Sequence, residues 1–188
     1  MFMFPTYFQL GFEHITDLNG YDHMLFLLAL CGAYVYSSWK KILILVTAFT
    51  IGHSVTLALA VLNIIPVNIA WIEFLIPLTI VATAVKNIVI QIEKGTIVTY
   101  FMALAFGLIH GMGFSNYLRS LLGDELIMPL LAFNVGIEVG QLLVVAAIFL
   151  IQFTLIKAIS VKHKTWKLSV SLVAGGISLL LAAQRIPF

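Results

Sequence analysis

Long apolar runs, interrupted at short intervals by charge, Pro or Gly, organise this chain. A helix that crosses roughly 30 Å of hydrocarbon needs about 20 mostly apolar residues. Six candidate spans follow, at roughly 21–37, 41–62, 70–90, 97–115, 127–153 and 168–184. The breaks are Lys40-Lys41, Pro66, Glu93-Lys94-Gly95, Asp124-Glu125 and the Lys157–Lys167 stretch. The pattern predicts an all-α, polytopic membrane bundle of six transmembrane helices in one integral domain, 1–188. The N-terminal stretch Met1–Leu18 has no basic n-region and no small-residue cleavage site, and it carries Glu13, His14 and Asp17, unlike a signal peptide. It is expected to be an outer-surface segment leading into the first span. Its aromatics Phe2, Phe4, Tyr7 and Phe8 suit the membrane interface.

Composition strengthens this picture. The 188 residues are 62% hydrophobic and 10% charged, with a mean hydropathy of +1.10. A soluble domain carries about 45–50% apolar and about 25% charged residues, so an ordinary soluble enzyme is excluded. The net charge of +2 excludes a nucleic-acid partner. The single cysteine, Cys31, excludes a disulfide framework and a cysteine-based zinc site.

Charge sets the orientation. Lys40, Lys41, Lys86, Lys94, Lys157, Lys162, Lys164 and Lys167 fall on one side of the six-span layout, against Arg119 and Arg185 on the other. Basic residues in short loops stay in the cytoplasm. Both termini are therefore expected outside. Ala48-Phe49-Thr50-Ile51-Gly52 in the second span echoes Ala132-Phe133-Asn134-Val135-Gly136 in the fifth. These two spans run in opposite directions, as two inverted three-helix repeats require.

Ionisable residues inside a membrane are costly, and so are functional candidates. Here they are Asp22, His23, His53, Glu73, Lys86, His110 and Glu138, with Asn134 and Gln141 as neutral companions. All but Lys86 fall in the outer half or near the midplane. Asn134, Glu138 and Gln141 form one helical stripe, and Thr47, Thr50 and Ser54 another. Gly107 and Gly111 bracket His110, and Gly136 and Gly140 bracket Glu138, at spacings that let helices approach closely. Imidazoles with carboxylates form a nitrogen and oxygen ligand set suited to Ni²⁺ or Zn²⁺. The same residues have structural readings. His53 and His110 can serve in packing, Asp22-His23 in capping, Glu73 at the interface, and Lys86 as a snorkelling cation. His163 belongs to the basic loop. No Walker-type glycine loop is present, which argues against direct ATP use.

Four strings resemble the HupE/UreJ family of bacterial membrane proteins. They are Gly11-Phe12-Glu13-His14 leading to Gly20-Tyr21-Asp22-His23-Met24-Leu25-Phe26, Thr47-Ala48-Phe49-Thr50-Ile51-Gly52-His53-Ser54, Phe106-Gly107-Leu108-Ile109-His110-Gly111, and Phe133-Asn134-Val135-Gly136-Ile137-Glu138-Val139-Gly140-Gln141. The resemblance implies a nickel or cobalt permease. It places Asp22, His23, His53, His110 and Glu138 on the family's polar positions as metal ligands. His14 also falls on one, but seven residues separate it from Asp22, where the family's first motif usually has five. It therefore joins Glu73, Asn134, Gln141 and Ser54 as an additional candidate. The expected function is a divalent transition-metal permease, with Ni, Co or Zn as the ion and the lipid bilayer as its medium. The alternative is an intramembrane zinc-dependent hydrolase on the same residues, with Glu138 as general base. A homo-oligomer or an accessory subunit is compatible with the small size.

Overall fold

A computed structural model of the chain describes residues 3–18, 20–90, 97–122 and 125–187. Among them are eight α-helices and no strand: α1 (Met3–Thr16), α2 (Asp22–Gly32), α3 (Trp39–Val61), α4 (Ile69–Val89), α5 (Ile97–Gly113), α6 (Ser115–Leu121), α7 (Ile127–Lys157) and α8 (His163–Gln184). A 3-10 turn over Tyr36–Ser38 leads into α3. Phe2, the break at Glu93-Lys94-Gly95 and Asp124 lie outside the described residues.

Four helices are long and apolar enough to cross a membrane: α3 with its leading turn, α4, α7 and α8. The pair α5 and α6, bent by 50° at Phe114, makes a fifth if it is one broken span. The chain is a polytopic all-α membrane protein. Large aliphatic side chains such as Ile44, Ile51, Leu143, Leu150, Leu172 and Leu180 face outward, as a lipid solvent allows.

The expected first span, 21–37, is not one continuous helix. The helical part, α2, is only 11 residues long, about 16 Å at 1.5 Å per residue, too short to cross alone. Nor is the N-terminal stretch a surface segment. It forms α1, whose Gly11 and Ile15 are buried. A Cβ at Gly136 of α7 would lie 2.1 Å from the Phe8 carbonyl oxygen, so the two backbones touch. Boundaries also shift by a few residues: α7 runs on to Lys157, and α8 starts at His163, which the sequence placed in a loop.

Cross-helix contacts fix the directions. Tyr36 and Tyr34 meet Gln152, whereas Thr47 meets Glu138, so α3 and α7 are antiparallel. Lys86 bonds Thr99 and Thr79 lies on His110, so α4 and α5 are antiparallel. Gly175 meets Ala84 and Lys167 meets Ile90, so α4 and α8 are antiparallel too. Phe8 and Phe12 meet Gly136, and Ile15 meets Gly140, so α1 is parallel to α7. Gly32 meets Val170 while Asp22 meets Arg185, so α2 opposes α8. The helices α1, α2, α4 and α7 therefore run one way, and α3, α5 and α8 the other. The start of α3, the end of α4, the start of α5, the end of α7 and the start of α8 share one end. There the described basic residues Lys40, Lys41, Lys86, Lys157, Lys162, Lys164 and Lys167 collect.

Two consequences matter for the site. First, α1 and α2 run in the same sense on either side of residues 17–21, so the chain breaks inside the bundle. Asn87 Nδ2 donates to the Ala29 carbonyl. Asp22, seven residues earlier on a parallel helix, therefore lies near the level of Ile80, midway along α4. The expectation that Asp22 and His23 sit at the outer end of a span is thus corrected to a mid-bundle position. Second, the halves repeat with inverted sense: α1, α3 and α4 oppose α5, α7 and α8. The echo between α3 and α7 has a packing reason. In α3, Phe49 and Gly52 meet α5 around Gly107 and Leu104; in α7, Phe133 and Gly136 meet α1 around Gly11 and Phe8.

Candidate metal centre

Glycine brings the histidines together. A Cβ at Gly107 would stand 2.1 Å from the Phe49 carbonyl oxygen, and one at Gly111 the same distance from the His53 carbonyl oxygen. With hydrogen in those places α3 and α5 pack backbone to backbone, the approach that small residues allow in membranes. His53 and His110 come from these two helices. The crossing of α1 and α7 at Gly11, Gly136 and Gly140 likewise seats the end of α1, with His14. The start of α2 supplies His23.

Four rings result within a small volume. His14 and His23 have ring centroids 4.6 Å apart, His14 and His53 6.0 Å, His23 and His53 6.0 Å, and His23 and His110 5.1 Å. Ligand nitrogens of His14, His23 and His53 all lie within 4.8 Å of one another. Nitrogens sharing one ion at about 2.1 Å stand about 3–4 Å apart, so small side-chain rotations close this set. His23, His53 and His110 are buried. No hydrogen-bond partner satisfies His14 Nε2, His23 Nε2, either nitrogen of His53, or His110 Nδ1. Buried polar atoms are ordinarily paired, and each exception needs an explanation. A cation accepting those lone pairs supplies one.

The protonation of His110 follows from counting donors. The Thr79 hydroxyl has one hydrogen, which goes to the Ile76 carbonyl at 2.7 Å. Its oxygen, 3.0 Å from His110 Nε2, therefore accepts from Nε2–H. That leaves His110 Nδ1 as the lone pair, oriented as metal-binding imidazoles are by an outer partner.

A cavity of about 900 Å³ leads to the centre, lined in part by His14, His23 and His110 at its floor and by Glu13, Asp17, Asp22, Glu73 and Arg185. His53 is fully buried behind it. Four acids against one base favour cations inside a low-dielectric cleft. On the side toward the basic end a phenylalanine stands one turn from each of three histidines: Phe26 from His23, Phe49 from His53, and Phe106 from His110. Phe26 stacks on Phe49 at 4.7 Å and meets Phe106 at 6.3 Å. This apolar layer closes the centre toward that end.

The other sequence candidates fall around this core. Asp22 adjoins His23, its Oδ1 buried and unpartnered and its Oδ2 3.0 Å from Arg185. Glu73 lies on the cavity wall. His110 and Glu138 are both outside the group of converging ligand atoms; Glu138 Oε1 accepts from Thr47 at 2.8 Å, its Oε2 is buried and unpartnered, and Thr50 donates to Gln141 at 2.7 Å. The two polar stripes thus meet between α3 and α7. Asn134 donates to the Leu130 carbonyl, and Ser54 to the Thr50 carbonyl. Lys86 donates to Thr99 at the basic end. Sequence reasoning passed over Thr79, although Thr79, Thr83 and Asn87 mark one buried face of α4 at four-residue spacing. It also passed over the match of Gly11-x-x-His14 with Gly107-x-x-His110.

Fold and site together define a polytopic α-helical membrane protein built as inverted halves around a buried histidine centre. The family model for HupE / UreJ protein matches residues 1–185. The chain belongs to that family. No curated protein and no solved structure matches it.

Proposed function

We propose that this chain carries a divalent transition-metal ion, of the nickel or cobalt kind, across the bacterial inner membrane. The family's association with nickel and cobalt transport supports a metal transporter. One observation carries the finer reading: three histidines from three different helices offer ligand nitrogens within 4.8 Å of one another, on buried atoms with no other partner. Imidazole nitrogen suits Ni²⁺, Co²⁺ and Zn²⁺ better than Mg²⁺ or Ca²⁺. The basic end faces the cytoplasm by the positive-inside rule, so both termini and the acidic cavity face outward. The ion is drawn in by Glu13, Asp17 and Glu73, meets Asp22 and His23, and settles among His14, His23, His53 and His110. Release inward requires Phe26, Phe49 and Phe106 to part, which makes the route alternating and not a standing pore.

The hydrolase reading has less support from the geometry. A metal hydrolase needs a base beside the metal-bound water. Glu138 lies outside the converging group, and the Ser54 hydroxyl is turned to its own helix. The test is Ni²⁺ and Co²⁺ uptake by cells with and without the protein, repeated for His53→Ala and Glu138→Ala. Metal-dependent uptake that disappears in His53→Ala is expected. Unchanged uptake in both variants overturns the proposal.

A further inference from the structure

Arg185 has no part in binding an incoming cation, yet it stands in the cavity through which that cation would pass. It is the one arginine or lysine among the cavity's described lining residues. Its guanidinium Nη1 lies 3.0 Å from Asp22 Oδ2, joining the end of α8 to the start of α2. The remaining Asp22 oxygen and the adjoining His23 Nε2 are both buried and unpartnered, and His23 is 6% exposed. An ion reaching His23 therefore meets a carboxylate already held by a tethered cation.

The geometry points to Arg185 as the residue that sets the site's binding threshold and so decides which ions occupy it: its guanidinium competes for Asp22, and only an ion that also gains imidazole nitrogens displaces it. This rests on the metal-transport reading. A guanidinium–carboxylate contact is a charge-assisted hydrogen bond, stronger than a neutral one. Mg²⁺ prefers oxygen ligands and gives up its water reluctantly. It would gain little here beyond the one carboxylate, and must first displace Arg185. Ni²⁺ or Co²⁺ faces the same competitor but gains His14, His23 and His53 in return. Arg185 thus lowers the affinity of every ion alike; the imidazoles set the ratio between ions, and the common penalty keeps a weakly held ion such as Mg²⁺ off the site at millimolar concentration.

The experiment titrates Ni²⁺ onto the purified full-length protein in detergent, with and without millimolar Mg²⁺, and records melting temperature in parallel. In Arg185→Gln, Ni²⁺ binding is expected to tighten by roughly two- to five-fold, the range a partly exposed ion pair supplies, and Mg²⁺ is expected to become a competitor. Arg185→Lys should keep the wild-type discrimination. In an Asp22→Asn background, Arg185→Gln should change neither quantity, since the cycle removes the shared partner. A purely structural Arg185 would instead lower the melting temperature and weaken Ni²⁺ binding in both backgrounds. That result, or wild-type Ni²⁺ affinity and Mg²⁺ insensitivity in Arg185→Gln, overturns the assignment. Failure of the wild-type protein to bind Ni²⁺, Co²⁺ or Zn²⁺ is a separate outcome, and overturns the transport reading and this assignment together.

Discussion

Gly107→Ala asks whether the contact between α3 and α5 sets the geometry of the metal centre. The added Cβ would lie 2.1 Å from the Phe49 carbonyl oxygen, 2.9 Å from its carbon and 3.0 Å from the His53 nitrogen. Ordinary contact begins near 3.4 Å, so the helices must part by about 3.4 − 2.1 = 1.3 Å. The obstacle is backbone, which cannot rotate away as a side chain would. It is also the turn that carries His53, so the displacement reaches a candidate ligand directly. Metal–ligand distances tolerate only about ±0.2 Å. Overpacking of this kind costs roughly 1–3 kcal/mol, and loosening the support of a metal ligand costs about 10–100-fold in affinity. The assay is Ni²⁺ titration of the purified variant with thermal unfolding in the same detergent. Gly176→Ala is the control, because a Cβ there meets nothing within 4 Å. Binding weakened at least tenfold in Gly107→Ala, with Gly176→Ala unchanged, is the expected result. Wild-type affinity and melting temperature in Gly107→Ala would refute the reasoning.

Further outcomes follow from the same geometry. His53→Leu should abolish the thermal shift that Ni²⁺ induces and leave the metal-free melting temperature unchanged or higher. It removes two buried nitrogens with no partner, each costing roughly 1–3 kcal/mol; a large loss of metal-free stability would contradict this. Thr79→Val should weaken Ni²⁺ binding by about 10–100-fold, because His110 loses the acceptor that fixes its tautomer, while Thr79→Ser should retain it.

Much of the site was legible because helical spacing is a local property. Thr47 and Thr50 had to share a face, as did Glu138 and Gln141, and their stripes meet across α3 and α7. The echo around Phe49 and Phe133 was also readable, since close helix approach demands the same small residue after the same aromatic. His14 was harder to place. Its spacing to Asp22 set it apart, yet the end of α1 and the start of α2 come together so that the rings of His14 and His23 lie 4.6 Å apart. Counting residues along the chain does not reveal where two helices of the same sense meet.

Hydrophobicity and charge along the chain determined that it is an all-α membrane protein, with most of its basic residues at one end and its costly polar residues in a shared region. Those are sums over local composition, and the bilayer imposes them on any sequence. Only tertiary packing decided that the span read at 21–37 holds just the short helix α2, that α1 packs against α7, and which imidazoles converge. The deciding contacts are backbone against backbone at Gly11, Gly52, Gly107 and Gly136, between segments up to a hundred or more residues apart. Their depth and crossing depend on facing surfaces that no single stretch of sequence contains.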